Sequence, residues 1–381
     1  MSQPAPSQSQ PGEAIPVLTA SVRDVRFFAA LLKGINFSNR ASVTLTADTA
    51  MGMIVTVEES HCLLATSYIY RDHFDEWSYS PNHSRPVNSQ PAQQTPDRDS
   101  DSTTFEIPLT TFIECLGIFG TANMSSHTNG PKPKKWRRED EVSDGERGDA
   151  KGKGRASSGN RASATHGLEH FFGGGNEKRT SMRLSYAGPG YPLTLLLAED
   201  SSGPTTTCEI TTFDPEPNLE LSFDGDQTSS SSWLRDALSE LDPSCEKITF
   251  ISNPAADVAR GQRRGSVGGA ASTSKPLFRI KASGDFGSTE MDYLNDREVL
   301  ETFECSRPVS VSYRFAHIVH TIRALQSSTK TSLRIEAEGL LSLQFLVSVP
   351  KARGGGSSDS FIEFRVQLMG TFRELVEGSL R

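Results

Sequence analysis

The sequence is short of most features that announce chemistry. Its five cysteines, Cys62, Cys115, Cys208, Cys245 and Cys305, are odd in number and scattered, with no CxxC pair. That argues against a disulfide framework or a thiolate zinc site and predicts buried, free thiols in a reducing compartment. Long apolar runs are missing too: no stretch of about 18 residues could cross a membrane as a helix. Met1–Gly12 is rich in Ser, Pro and Gln and has no signal-peptide core. Both absences predict a soluble intracellular chain. There is no Walker A loop, no G-x-S-x-G, no H-E-x-x-H and no GxGxxG after a strand. Gly173-Gly174-Gly175 lacks the following Lys-Ser/Thr of a phosphate loop. No cofactor and no metal are expected. Basic charge is in deficit, 39 Lys+Arg against 47 Asp+Glu, net −8, which argues against a surface that coats nucleic acid throughout but leaves room for a local basic face.

Only 35% of the 381 residues are hydrophobic, and they are unevenly spread. Residues 1–14, 80–103, 121–180 and 254–275 are dominated by Pro, Gly, Ser, Asn, Gln and charge. Such segments bury too little apolar surface to offset their ordering entropy, so a disordered tail and three disordered inserts are expected. Residues 351–360 read as a hairpin tip and 371–381 as a C-terminal tail.

Between these segments the same order of elements occurs twice. In the first half, 15–213, an extended stretch ending near Ala20 leads into a helix in which Val25, Phe28, Ala29 and Leu32 recur at helical spacing. Strands follow at Val43–Leu45, Met53–Val57, Leu63–Tyr70 and Thr104–Ile107, then a helix over Thr110–Gly120, then strands at Met182–Tyr186, Leu193–Leu197 and Cys208–Phe213. Residues 214–218, opening Asp214-Pro215-Glu216-Pro217, read as a connector. The second half, 219–370, reads as a strand at Leu219–Phe223, then an amphipathic helix marked by Trp233, Leu234, Ala237, Leu238 and Leu241. Strands at Ile248–Ser252, Leu277–Ala282, Thr289–Tyr293 and Val299–Cys305 come next. A helix on Phe315, Ile318, Val319, Ile322 and Leu325 follows, with strands at Leu333–Glu336, Leu341–Val349 and Ile362–Leu368. The fold class is α+β, built from a duplicated unit of strand, helix, four strands, helix and three strands.

The blocks LTASVRDVRFFAALLKGINF and MGMIVTVEESHCLLATSYIYRDHFDEW resemble the start of the Rad-one family, a subunit of the nine-one-one checkpoint clamp. FRIKASGDFGSTEMDY and ECSRPVSVSYRFAHIVHTIRALQSSTKTSLRIEAEGLLSLQFLV are similar to the second domain of that family and, more distantly, to PCNA. The resemblance implies two PCNA-like clamp domains, with antiparallel sheets outside and four helices lining a channel. It also implies a heterotrimer with Rad-nine-type and Hus-one-type subunits, a dedicated clamp loader, sequence-independent contact with duplex DNA, checkpoint signalling and a nuclear location.

A clamp must hold DNA yet slide, so weak Lys and Arg contacts to phosphate suffice. Under that reading the DNA-facing residues are Arg23, Arg26 and Lys33 on the first helix, Arg235 on the third, and Arg314 and Arg323 on the fourth, which also carries His317 and His320. Arg26 and Lys33 share a face at a separation of seven residues, whereas Arg314 and Arg323, nine apart, cannot share the centre of one stripe. The second helix has no basic residue and carries Glu114, which suits a subunit that shares DNA contact with more basic partners. Lys132, Lys134, Lys135, Arg137 and Arg138 form a cluster suited to nuclear import or to an auxiliary DNA arm. Arg263-Arg264-Gly265-Ser266 has a form that kinases accept, a form that also arises often by chance. Ile210–Leu219 reads either as the border of the outer pocket where clamps dock peptides or as an edge strand and linker. Exposed edge strands at the domain ends would join subunits by strand addition. Two rival readings remain, a PCNA-type homotrimer and a nuclease. The nuclease would draw on Asp72, Asp75 and Glu76 or on Glu58 and Glu59, sets that look like solvated loops without a completed two-metal site.

Overall fold

The computed structural model describes residues 16–81, 102–120, 179–199, 203–217, 219, 221, 229–230, 233–254, 276–293, 303–351 and 356–369. The first half runs β1 (Leu18–Val22), α1 (Val25–Gly34), β2 (Arg40–Thr46), β3 (Met51–Glu59), β4 (Leu63–Tyr70), β5 (Glu76–Tyr79), β6 (Ser102–Pro108), α2 (Leu109–Leu116), β7 (Ser181–Tyr186), β8 (Leu193–Ala198) and β9 (Thr205–Ile210). The second runs β10 (Ser229–Ser230), α3 (Trp233–Glu240), β11 (Cys245–Ser252), β12 (Phe278–Gly284), β13 (Gly287–Tyr293), β14 (Val309–Arg314), α4 (Phe315–Ser327), β15 (Lys330–Ile335), β16 (Leu341–Pro350) and β17 (Ser357–Val366).

Alternation decides which strand face is buried. In β1, Leu18, Ala20 and Val22 point into the core, and in β12 Phe278, Ile280 and Ala282 do the same. Helix α1 starts where the Asp24 carboxylate accepts the Arg26 amide, and it buries Val25, Phe28, Ala29, Leu31 and Leu32. The duplication is plain in the sheets. Strand order β6-β2-β3-β4 in the first half matches β14-β11-β12-β13 in the second, and β1-β7-β8-β9 matches β10-β15-β16-β17. The two halves fuse where β17 pairs antiparallel with β4, from Phe361↔Tyr68 to Val366↔Leu63, making one eight-stranded sheet. Beneath it α1 packs on α4. A Cβ at Gly34 would lie 2.8 Å from Ile362 Cδ1 of β17 and 3.4 Å from the Ala324 Cβ, so any larger residue there must displace the end of the Ile362 side chain.

Several elements differ from the sequence expectation. β5 is unexpected, giving five strands rather than four between the helices of the first half. It pairs with β1, and Trp77 packs on Phe74 with ring centroids 4.7 Å apart. β6 starts at Ser102, inside the expected 80–103 insert, because Thr103 is buried and accepts the Tyr79 hydroxyl at 2.8 Å. α2 ends at Leu116 rather than near Gly120, and β9 occupies Thr205–Ile210 rather than Cys208–Phe213. Phe303–Cys305 forms no strand, and residues 299–302 lie outside the described residues; the strand before α4 is β14, whose Tyr313 is buried. Leu219 and Leu221 form no strand, the rest of 219–223 lies outside, and β10 takes that place in the sheet. β17 begins at Ser357, within the expected hairpin tip. None of the five cysteines is fully buried, and Cys115 and Cys208 interact across α2 and β9, with burial pushing the Cys115 thiol up to about 11. Residues 132–138 and 263–266 lie outside the described residues.

Candidate DNA-facing helices and the joint between the halves

The six basic side chains expected to face DNA are not equivalent. Arg26 folds back on the cap of its own helix: its Nη2 lies 2.7 Å and its Nε 3.0 Å from Asp24 Oδ2, and only 13% of the side chain is exposed. Arg23 lies before the cap of α1 rather than on that helix, and it is open to solvent, but its Nε sits 2.8 Å from Asp75 Oδ1, while its backbone amide donates to Asp75 Oδ2. Lys33 is half-buried on the Arg26 face, and desolvation holds its ammonium below the usual lysine range. Arg235 on α3 is exposed and lies 3.4 Å from Asp236. Arg314, expected on the fourth helix, is the last residue of β14 and the N-cap of α4, whereas Arg323 lies on α4; both are exposed, and among the described residues neither has an ion-pair partner. The structure thus leaves α4 as the helix with free cationic groups.

The faces of α4 also correct the apolar pattern. Phe315, Ile318, Thr321, Ala324 and Leu325 are buried, whereas Val319, expected in the core, is exposed. His317 is buried with Nδ1 unpartnered, and desolvation lowers its basicity. His320 does not join a cationic stripe. Its ring stacks near Phe37, centroids 5.0 Å apart, and its Nε2 reaches Glu59 Oε2 at 3.1 Å, which pins the β3–β4 hairpin to α4. On α2 the exposed residues are Thr110, Thr111 and Glu114.

Four of the five carboxylates weighed for metal chemistry have other partners, and Glu76 is exposed. Asp75 engages Arg23, Asp72 lies 3.8 Å from Lys351, and Glu59 meets His320. Glu58 accepts the Leu219 amide at 2.9 Å and contacts His61. Among the described residues no three His, Cys, Asp or Glu side chains converge to hold a metal ion.

Two polar networks were not foreseen. One lies on the β4–β17 joint. Glu363 is 5% exposed and accepts from Ser342 (2.8 Å), Gln344 (3.3 Å), Arg365 (2.8 Å) and Tyr68 (3.4 Å). Burial alone would raise its carboxyl, but the Arg365 guanidinium and these donors outweigh burial and hold it below the usual glutamate range. Arg365 also donates to the Leu221 carbonyl. Close by, His73 is buried between Ser358 (2.6 Å) and Ser360 (3.2 Å) of β17, and desolvation lowers its basicity. The second network ties down the connector. Phe213 and Glu106 exchange backbone hydrogen bonds of 2.9 Å, Arg40 stacks 4.5 Å over the Phe213 ring, and Glu106 accepts both Arg40 (3.0 Å) and the Glu216 amide (2.9 Å). The open edge of β6 is therefore partly covered by the connector. The only local sequence signal for either network was an acidic residue within a strand, which by alternation reads as facing water.

Comparison with known proteins agrees with this architecture. The chain is 26% identical over 335 residues to human "Cell cycle checkpoint protein RAD1", covering 87% of this chain and 86% of the relative. It is 26% identical over 419 residues to "DNA repair exonuclease REC1" of Mycosarcoma maydis, covering 88% of each. Among solved structures, proliferating cellular nuclear antigen from Entamoeba histolytica superposes with a TM-score of 0.54 at 11% identity, covering 93% of this chain and all of that one, which establishes a PCNA-like clamp fold. The family described as "Repair protein Rad1/Rec1/Rad17" matches residues 17–347, and the chain belongs to that family.

Proposed function

We propose that this protein is one subunit of a heterotrimeric sliding clamp that encircles duplex DNA and serves checkpoint signalling and repair. The observation that carries this reading is the β17–β4 joint. There the last strand of one half is added to the free edge of the β2–β4 meander of the other, so the contact is a β-augmentation between two like units. Among the described residues the repeat leaves two matching edges unpaired. β9, the counterpart of β17, ends the five-stranded sheet, and β13, the counterpart of β4, ends the four-stranded sheet. A chain with a donor edge at one end and an acceptor edge at the other makes head-to-tail contacts, which form a ring where the rotation between subunits closes. The two edges differ in sequence, TTTCEI against GSTEMDY, which favours unlike neighbours on the two sides. Rad-nine-type and Hus-one-type subunits and a dedicated clamp loader are the partners this reading requires. Lys132, Lys134, Lys135, Arg137 and Arg138 are its nuclear import signal.

Retention on DNA is then topological, and the cations of α4 need only provide weak, sequence-blind attraction to phosphate. The proposal contains no catalytic step. Its test is retention of the loaded three-subunit complex on a closed circular duplex. The complex should stay on the circle in high salt and be lost when the circle is cut. Equal retention on cut DNA would show ordinary binding and contradict encirclement. A homotrimer that does the same without other subunits would favour the PCNA-type processivity reading.

A further inference from the structure

The joint inside the chain shows what the contacts between chains require, and the repeat makes one residue stand out. In the internal joint, the β3–β4 hairpin turns through Ser60 and His61, both in the left-handed region, and its Ser60 and Cys62 share a pocket with Arg314 and His317 at the start of α4. The Cys62 carbonyl accepts the Gln367 amide at 2.9 Å, so the tip also meets the segment that follows β17. The tip does not fill the space it reaches. A pocket of about 220 Å³ remains among Ser60, Cys62, Arg314, His317, Leu368 and Met369.

The counterpart hairpin, β12–β13, borders an open edge. It turns through Asp285 and Phe286, and Phe286 is 88% exposed, the most exposed of the large hydrophobic side chains among the described residues. A single exposed apolar residue is ordinary on a protein surface. This one sits on a braced support: Gly284 pairs with Gly287, and a Cβ at Gly284 would lie 2.7 Å from the Ser244 carbonyl oxygen. The loop that projects it is therefore held at its base.

We infer that Phe286 is an interface anchor, which inserts into a recess on the neighbouring clamp subunit between the start of that subunit's α2-like helix and the segment following its β9-like strand. This inference rests on the clamp reading above. The internal hairpin lines this space with Ser60 and Cys62 and leaves a pocket, while His61, at the position that matches Phe286, turns to Glu58. The outer hairpin offers an aromatic ring there, which can fill the equivalent space on a neighbour. An anchor is needed there because the β13 edge is polar: Ser288, Thr289, Glu290 and Asp292 are exposed, and strand addition alone would bury little apolar area. The internal joint has no such need, because its two halves are one chain and bury a shared core at Phe37, Phe364 and Ala324.

The test is binary affinity of the full-length protein for the Rad-nine-type and Hus-one-type subunits separately, comparing wild type with Phe286→Ala and Phe286→Trp. Because the side chain is exposed in the free protein, the alanine variant should melt at the wild-type temperature. Its affinity for one partner, the one docked at β13, should fall by roughly 30-fold, the effect of truncating a buried aromatic anchor. Affinity for the other partner, docked at β9, should change less than about twofold, and the tryptophan variant should keep most of the binding. Wild-type affinity for both partners in the alanine variant would overturn the anchor and leave the clamp reading standing. Equal weakening toward both partners would also overturn it, by denying a single site. Failure of the wild type to bind either subunit would overturn the clamp reading and the anchor with it.

Discussion

Glu363→Gln removes one negative charge from the middle of the joint between the halves and leaves almost the same shape. In the native protein the carboxylate takes four donors from three strands, Ser342 and Gln344 on β16, Arg365 on β17 and Tyr68 on β4. The amide can accept from some of these but must turn its own NH2 toward a donor, and it leaves Arg365 without a counter-charge. Breaking a fully buried pair costs about 3–5 kcal/mol. Arg365 keeps 24% of its side chain exposed, and water will screen part of the loss, so about 2 kcal/mol is expected here. For a folded body of this size that is a fall in Tm of about 4–8 °C. The pH dependence gives a second, independent reading. The folded-state carboxyl titrates below its unfolded value, so its stabilisation is present above the ordinary glutamate range and is lost as pH falls through the folded value. The variant has no such group. Urea titrations at pH 7 and at about pH 4 should therefore show a gap between wild type and Glu363→Gln at pH 7 that narrows in acid. A variant within about 0.5 kcal/mol of wild type at pH 7, or a gap that does not narrow, would show that the buried carboxylate does not hold the joint.

Other expectations follow from the same structure. Gly34→Ala should destabilise by about 1 kcal/mol, because its Cβ would meet the end of the buried Ile362 side chain on β17 at a cost that exceeds the gain in helix propensity; an unchanged or raised melting temperature would deny the close approach. His73 is held neutral by burial, so its stabilising fit is kept above the ordinary histidine range and lost as pH falls below it. NMR titration of its ring should give a midpoint under 6.5, and a midpoint above that value would contradict the burial argument. Arg314→Glu with Arg323→Glu should weaken salt-sensitive retention of the assembled clamp on DNA while leaving assembly intact, and Arg26→Glu, whose parent side chain is already paired with Asp24, should do so less. Retention unchanged in the double variant would remove α4 from the DNA-facing set.

Much of this fold could be read from local patterns. α1, α3 and α4 announce themselves by apolar residues at helical spacing, and the repeated order of elements exposed the duplication. The failures share a cause. β5 has four residues and too little apolar alternation to be seen, and the threonine-rich start of β9 shifted its reading toward Cys208–Phe213. The apolar pair Val299-Leu300 drew the strand away from Val309–Arg314, where Tyr313 is the buried residue. The candidate site was harder still, because its determinants are long-range. The sequence shows Arg26 as a cation on a helix face but not that it turns back onto Asp24. Glu363 and Tyr68 lie 295 positions apart, and no local rule brings them together. Nor does a lone phenylalanine in a two-residue turn mean anything until the matching hairpin of the other half is seen in contact.

If the two open edges are completed by unlike subunits, the mass in solution of the purified protein, alone and mixed with Rad-nine-type and Hus-one-type subunits, shows it. A monomer is expected alone and a one-to-one-to-one complex in the mixture. A homotrimer alone that ignores the other two subunits would contradict it.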